Sequence, residues 1–262
     1  MKITINNHNI EYDVTKFSGG EIQFRLRNPE KIRGCTVKIR VNITNSAGVM
    51  GLLMATDALR QAGCRDIDLV MPYIPYARQD RVCAPGEALS LKVFANLINS
   101  QNYRYVEVWD AHSDVALALI DRVVHKQQYR FVNPLLLVSD HDYLVSPDAG
   151  SLKKIYQISG GVPIIRADKT RDPATGQITG TVAYCDRIES SNVLIVDDIC
   201  DGGRTFIELA KALKMKTWGN IDLYVTHGIF SQGLDVFDGY INKIYCPNVF
   251  PNVQDHEILK RI

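Results

Sequence analysis

The segment from Val193 to Thr205, VLIVDDICDGGRT, passes from four apolar residues into two carboxylates, a pair of glycines and the start of a helical pattern. Such an apolar run reads as a strand buried in a parallel sheet. Polar residues at its C-terminal end stand where open α/β sheets bind ligands. Gly202 and Gly203 let the backbone turn tightly, so that its N–H groups, the Thr205 hydroxyl and the N-terminus of the following helix can surround a phosphate. Asp197 and Asp198 then stand close enough to take a ribose diol, or an Mg²⁺ held on it. An acidic turn that merely caps a helix is the plainer reading, but it leaves the whole string unexplained.

Four further segments carry chemistry. In Pro72 to Arg81, PYIPYARQDR, Arg78 and Arg81 offer forked donors suited to a polyphosphate, and Gln79 between them offers an amide suited to a purine edge. A solvated basic turn is the alternative. His112 follows Asp110 at the end of an apolar strand pattern, and Asp148 follows Leu144 and Val145. An imidazole and a carboxylate in those places can hold or orient Mg²⁺ with its retained waters, although a lone histidine is more often structural. Between Arg166 and Gly180, RADKTRDPATGQITG places Lys169 and Arg171 either side of Thr170; composition alone makes this a solvated surface loop.

The elements that must position these residues alternate. Apolar runs at 37–43, 67–71 and 105–109 are separated by helical patterns at 45–62 and 89–98, which implies βαβ units around a buried parallel sheet. The first of those patterns has Val49, Leu52, Leu53, Thr56 and Leu59 at helical spacing, Asn45 or Ser46 as N-cap, and Gly63 to end it. A second series follows the polar patch 125–129: strands at 143–145, 164–165, 193–196 and 223–225, helices at 149–157 and 205–213. The chain opens differently, with 2–5 and 10–14 flanking Asn6 to Asn9 as an antiparallel hairpin. The fold class expected is α/β, with two doubly wound domains built on mainly parallel sheets. At 262 residues, domains of about 130 suit the usual size, and the boundary is set at 130/131.

Composition removes several classes of function. Lys plus Arg total 30 against 29 Asp plus Glu, a net charge of +1, so no global field draws the chain to nucleic acid or to an anionic membrane, and no basic stripe appears. Hydrophobic residues at 46% and charged residues at 23% exclude a disordered or fibrous chain. No apolar run approaches the roughly 18 residues of a membrane span. Met1 to Val14 alternates like a strand rather than reading as a secretion signal, and the six cysteines lack the close spacing of a zinc or redox site. Reduced thiols in a cytoplasmic enzyme, without nucleic-acid or membrane partners, are expected.

The string VLIVDDICDGGRT resembles the phosphoribosyl-pyrophosphate-binding motif of type I phosphoribosyltransferases and of ribose-phosphate pyrophosphokinases, and the other segments separate the two. PYIPYARQDR resembles the ATP-binding segment of the pyrophosphokinase family, and Phe17 to Glu21, FSGGE, its adenine-side F-S-[DN]-x-E motif. Val108 to His112, VWDAH, is similar to the strand whose histidine binds Mg-ATP; VSPDA at 145–149 is similar to a metal-site segment, and THGIFS at 226–231 to a late signature. The resemblance runs in order from about residue 17 to residue 231. It implies an N-terminal ATP-binding domain and a C-terminal ribose-phosphate-binding domain, both phosphoribosyltransferase-like.

That resemblance implies ATP as co-substrate and Mg²⁺ as cofactor, with Phe17, Glu21, Arg78, Gln79, Arg81 and His112 on ATP. His112, Asp148, Asp197 and Asp198 would serve the metal, and Asp197, Asp198, Asp201, Gly202, Gly203, Arg204 and Thr205 a 5-phosphorylated ribose. Lys169 and Arg171 fall where the family carries a catalytic Lys-x-Arg pair. The implied reaction moves the diphosphoryl group of ATP to the C1 hydroxyl of ribose 5-phosphate and releases AMP. A homodimer or higher homo-oligomer is implied because the family's adenine segment reaches a neighbouring subunit.

Departures matter too. The phosphate loop usually reads D-T-x-G-T, and Arg204 here replaces a glycine; its guanidinium could admit a larger acceptor such as ADP-ribose. Gly19 stands where the adenine-side motif has an acidic or amide residue, and VCAPGEALS after Arg81 lacks the basic and serine residues of regulated members. A phosphoribosyltransferase and a catalytically silent regulator on the same fold are the rival readings.

Overall fold

The computed structural model describes residues 1–171 and 178–262, with the side chains of 169–171, 178 and 179 undescribed. The chain divides into two compact units, Met1–Lys126 and Gln127–Ile262.

The first unit opens with strands β1 (Lys2–Ile5) and β2 (His8–Asn9), then β3 (Tyr12–Lys16) and β4 (Ile22–Leu26). β1 pairs with β2 across Asn6 and Asn7, whose φ angles of 48° and 66° are the left-handed pair that a tight two-residue hairpin needs. The expected pairing of 2–5 with 10–14 is therefore corrected. β3 instead pairs antiparallel with β4 in a separate ribbon, where Tyr12 stacks on Phe24. The turn is shorter than the sequence suggested because two asparagines suffice to close it.

There follow β5 (Thr36–Arg40), α1 (Ser46–Gln61), β6 (Asp66–Val70), α2 (Ser90–Asn99), β7 (Tyr105–Trp109), α3 (Asp114–Leu119) and β8 (Val123–Lys126). The strand order is β2-β1-β5-β6-β7-β8, parallel from β5 onward. α1 starts as its sequence dictates, with the Asn45 side chain accepting from Gly48 N. Leu52, Ala55 and Leu59 of α1 join Ile39, Leu69 and Val108 in one apolar core. The alternate residues of the same strands mix polar and aromatic groups. Arg104 makes two 2.7 Å hydrogen bonds to Asp68, Lys126 pairs with Glu107, and Arg40 lies over the Trp109 ring.

The second unit contains α4 (Tyr129–Leu136), β9 (Tyr143–Ser146), α5 (Ala149–Ile158), β10 (Ile164–Arg171), β11 (Ile178–Tyr184), β12 (Val193–Cys200), α6 (Arg204–Lys214), β13 (Ile221–Gly228), β14 (Ile244–Cys246), β15 (Asn248–Val249) and β16 (Leu259–Arg261). Its order is β11-β10-β9-β12-β13-β14-β16, with β15 beside β13; the pairings are parallel except β10 with β11. The sheet buries both faces. Ile195 and Val193 face Leu209 and Leu213 of α6, whereas Leu194 and Val196 face Ile155 of α5 and Val132 of α4. The polar stretch 166–180, read as a loop, is two strands over its described length. Register pairs Arg166 with Tyr184 and Lys169 with Thr181, so backbone pairing overrides its surface-like composition.

Both units are α/β with mainly parallel sheets. Among the described residues no helix is long and apolar enough to cross a membrane.

The cysteines carry free thiols, and burial sets their reactivity. Desolvation pushes the Cys200 thiol well above its ordinary value and that of Cys246 up to about 12, so both stay protonated at neutral pH. Titration of the native protein with a thiol-reactive dye at pH 8 is expected to label exposed Cys83 fastest, and to label Cys200 and Cys246 only after unfolding.

Candidate active site

The two carboxylates of the Val193 segment stand near the end of β12. The amide N–H of Asp198 donates to Asp197 Oδ1 at 2.9 Å, which orients the first carboxylate on its neighbour's backbone. Lys154 of α5 reaches Asp198 Oδ2 at 3.6 Å, and the buried Gln128 donates its amide to the Asp197 carbonyl at 3.0 Å. Neither Lys154 nor Gln128 stood out in the sequence. Lys154 could have been found as a cation on the helix after VSPDA; Gln128 carries no sequence signal.

Beyond β12 the chain turns through Asp201 and Gly202 into Gly203, the N-cap of α6, at φ +80°. The space there belongs to backbone alone, because a Cβ on Gly203 would lie 2.5 Å from Cζ of Phe237. Phe206 N and Ile207 N both donate to the Gly203 carbonyl, so the helix begins immediately. Among the described residues no side chain caps this helix, whereas Asn45 caps α1 and Asp148 caps α5. An uncapped helix N-terminus with a glycine turn ahead of it is suited to an anion. Arg204, exposed, and Thr205, half-buried, begin that first turn.

Asp148 is engaged. Its Oδ1 accepts from Gly150 N at 3.0 Å and Ser151 N at 3.2 Å, which fixes the carboxylate over the first turn of α5. Lys169 and Arg171 fall on β10, and their side chains lie outside the described residues.

In the first unit, Arg78, Gln79, Arg81 and His112 line one cavity of about 640 Å³ together with Asp80, Cys83 and Glu87. Pro72 and Pro75 stiffen the approach. Tyr76, at φ +64°, turns the chain so that Gln79 N returns to the Tyr76 carbonyl at 2.8 Å. Glu87 Oε2 accepts from Cys83 N and Ala84 N and so closes the far wall. Asp80 was not singled out from the sequence. Arg81 holds its carboxyl below the usual carboxylate range, against some desolvation, with smaller help from the Ser113 hydroxyl and the His112 charge. The cavity therefore sets two guanidinium groups and an imidazole beside two anchored carboxylates, Asp80 and Glu87. Asp110, at φ +36° and buried, makes the turn that presents His112.

Phe17 and Glu21 sit at the turn of the β3–β4 ribbon, where Phe17 N donates to the Glu21 carbonyl at 2.8 Å; they are not among the residues lining the Arg78 cavity. Phe17 is exposed.

Two mainly parallel α/β units, one of them carrying an acidic strand end, a glycine turn and an uncapped helix, define a phosphoribosyltransferase-like protein. The family model for the N-terminal domain of ribose phosphate pyrophosphokinase matches residues 2–101. Curated relatives extend the match: ribose-phosphate pyrophosphokinases of Aquifex aeolicus, 31% identical over 91% of this chain and 78% of theirs, and of Staphylococcus saprophyticus, 32% identical over 83% and 70%. The crystal structure of phosphoribosylpyrophosphate synthetase from Mycobacterium smegmatis shares the fold at a TM-score of 0.83 and 22% identity, covering 98% of this chain and 87% of that one. The chain belongs to the ribose-phosphate pyrophosphokinase family.

The Gly203 turn gives a test independent of turnover. Gly203→Ala combines a positive φ with a Cβ against Phe237 and is expected to destabilise the protein by about 1–3 kcal/mol, read as a lowered Tm. Adding Phe237→Leu, which withdraws the ring, is expected to recover part of that loss.

Proposed function

We propose that this chain is an AMP-releasing diphosphokinase. It transfers the β,γ-diphosphoryl group of Mg-ATP to the C1 hydroxyl of ribose 5-phosphate, giving phosphoribosyl pyrophosphate for nucleotide biosynthesis. The observation that carries the reading is the uncapped N-terminus of α6 behind Gly203, with Asp197 and Asp198 on the strand that leads into it. Relatives named for ribose phosphate support ribose 5-phosphate as acceptor; the ADP-ribose acceptor suggested by Arg204 gains no support from them.

In this reading the N–H groups of the Asp201–Thr205 turn, with the Thr205 hydroxyl and the Arg204 guanidinium, bind the 5-phosphate. Asp197 and Asp198 accept from the ribose hydroxyls and fix the anomeric carbon. Arg78 and Arg81 take the polyphosphate of ATP, and Gln79 the purine edge. The C1 hydroxyl oxygen attacks the β-phosphorus, the bond from the β-phosphorus to the α,β-bridging oxygen breaks, and AMP departs with that oxygen while the hydroxyl proton passes to solvent. Lys169 and Arg171 supply positive charge to the β-phosphoryl oxygens as negative charge spreads over them. Positioning does the remaining work.

The donor set fits Mg²⁺, a hard cation that takes carboxylate oxygens and keeps several waters. Asp197 and Asp198 would hold an ion on the ribose; His112 is read as a metal residue of the first unit and Asp148 as one of the second. When bound, Mg²⁺ neutralises phosphate charge and makes the β-phosphorus more electrophilic. Phe17 and Glu21, set apart from the Arg78 cavity on their ribbon, are read as serving ATP bound to a neighbouring copy, which makes the functional unit a homodimer or larger.

Incubation with Mg-ATP and ribose 5-phosphate, resolved by chromatography and mass, is expected to yield AMP and phosphoribosyl pyrophosphate in equal amounts; ADP, or no nucleotide product, would sink the reading. Lys169→Ala is expected to lower kcat by about 10³-fold with the KM for ATP little changed, as for other charge-stabilising groups in phosphoryl transfer. Arg78→Ala is expected to raise the KM for ATP about tenfold, the effect of losing one charge-assisted contact.

A further inference from the structure

The stretch from Thr226 to Ser231, THGIFS, has no role in the reaction as read above, yet it is fastened along the start of the phosphate turn. Ile229 N and Phe230 N both donate to the Cys200 carbonyl, at 2.8 and 3.2 Å. Ser231 N donates to the Asp201 carbonyl at 3.1 Å, and Ser231 Oγ donates to Asp201 Oδ1 at 2.7 Å. Phe230, held at φ +46°, meets Phe237 edge-on with ring centroids 6.2 Å apart, and Phe237 is the ring against which Gly203 packs. Behind them, the buried His227 bonds Asn248 at 3.1 Å and Phe250 N returns to the Gly228 carbonyl at 2.9 Å. The turn after β12 thus rests on the turn after β13, by hydrogen bonds on one side and aromatic packing on the other.

We propose that Ser231 is a positioning residue for the sugar phosphate, acting through Asp201. This rests on the reading of the Asp201–Thr205 turn as the 5-phosphate site. A carboxylate repels a dianionic phosphate more strongly the closer it stands, so the direction in which Asp201 is held sets how much it opposes binding. The Ser231 hydroxyl fixes it, because one oxygen of Asp201 is taken by a donor whose own backbone is tied to the same residue's carbonyl. The side chain and main chain of Ser231 grip Asp201 together, so Asp201 and the following glycines keep one arrangement before ligand arrives. Such preorganisation lowers the cost of binding without touching the reacting atoms. Ser231 is exposed, so water replaces part of its hydrogen bond when it is removed, and the expected effect is correspondingly modest.

The test compares wild type with Ser231→Ala and Ser231→Thr in two readouts: steady-state kinetics for each substrate, and hydrogen exchange of the backbone over residues 199–207 in the ligand-free protein. Ser231→Ala is expected to raise the KM for ribose 5-phosphate about fivefold, with the KM for Mg-ATP and kcat within about twofold of wild type, since a single exposed hydrogen bond to a charged group is lost. Exchange at 201–205 should quicken in the same variant. Ser231→Thr keeps the hydroxyl and should restore both readouts. A purely structural role would instead move both KM values together and lower Tm. Ser231→Ala indistinguishable from wild type in sugar-phosphate KM and in exchange overturns the proposal. If the wild type itself does not turn over ribose 5-phosphate, the functional reading fails on its own; the clasp is then judged by exchange alone, quickening supporting it and no change overturning it.

Discussion

The arrangement of the second unit depends on a missing Cβ. At Gly203 the backbone takes φ +80° while the Phe237 ring fills the space that any side chain would need. Only glycine meets both demands at once. Because the turn is so tight, α6 begins directly behind it without a capping side chain, and the amides of its first turn are left to bind something else. The same ring contacts Phe230, so the position of the phosphate turn, the next loop along the sheet and the start of the helix form one packed unit. Buried strands supply the rigid base: Val193 to Val196 are fully buried, with both faces of the sheet covered. A turn carried at the C-terminal end of a buried parallel sheet is the general plan of α/β ligand sites.

The first unit reaches a comparable end by different means. There the cavity-lining residues follow parallel strands, but the loop is long and held by proline, a left-handed Tyr76 and the carboxylate of Glu87 on two backbone amides. Charge rather than uncapped amides dominates it. Arg78, Arg81 and His112 line the cavity with Asp80 and Glu87 as fixed counter-charges, and Asp80 bonds Arg81 at 2.9 Å. The two units therefore differ in kind, the first setting forked cations beside fixed carboxylates and the second an uncapped helix N-terminus behind paired carboxylates.

Much of this was legible because the relevant physics is local. An asparagine cap and a terminating glycine delimited α1 to within a residue at each end. A continuous apolar run followed by acid and glycine identified β12 and its turn, since only a strand buried on both faces reads that way. What escaped was decided by partners distant in sequence. The polar run from Arg166 to Arg171 resembled a surface loop, and it is a strand because Ile178–Tyr184 pairs with it. The Asn6–Asn7 turn chose His8–Asn9 as the partner of β1, leaving Tyr12–Lys16 to find Ile22–Leu26. α4 begins in a patch that looked like a break and even contains Pro134, so propensity argued against it while Val132 and Leu135 anchor it in the core. Within the site the reverse holds: the partners of Asp148, Gly150 and Ser151, and the partner of Asp80, Arg81, are near neighbours in the chain, so both contacts were open to a local reading, which assigned Asp148 to a metal and passed over Asp80.

The central claim is that the turn after β12 is a preformed cradle for a sugar's phosphate. The most direct measurement is calorimetric titration of the wild-type protein with ribose 5-phosphate in the presence of Mg²⁺, set against ribose under the same conditions. The account predicts binding of the phosphorylated sugar and a loss of at least about a hundredfold in affinity when the phosphate is absent, the value of two or more charge-assisted hydrogen bonds. Equal affinity for the two sugars would contradict it.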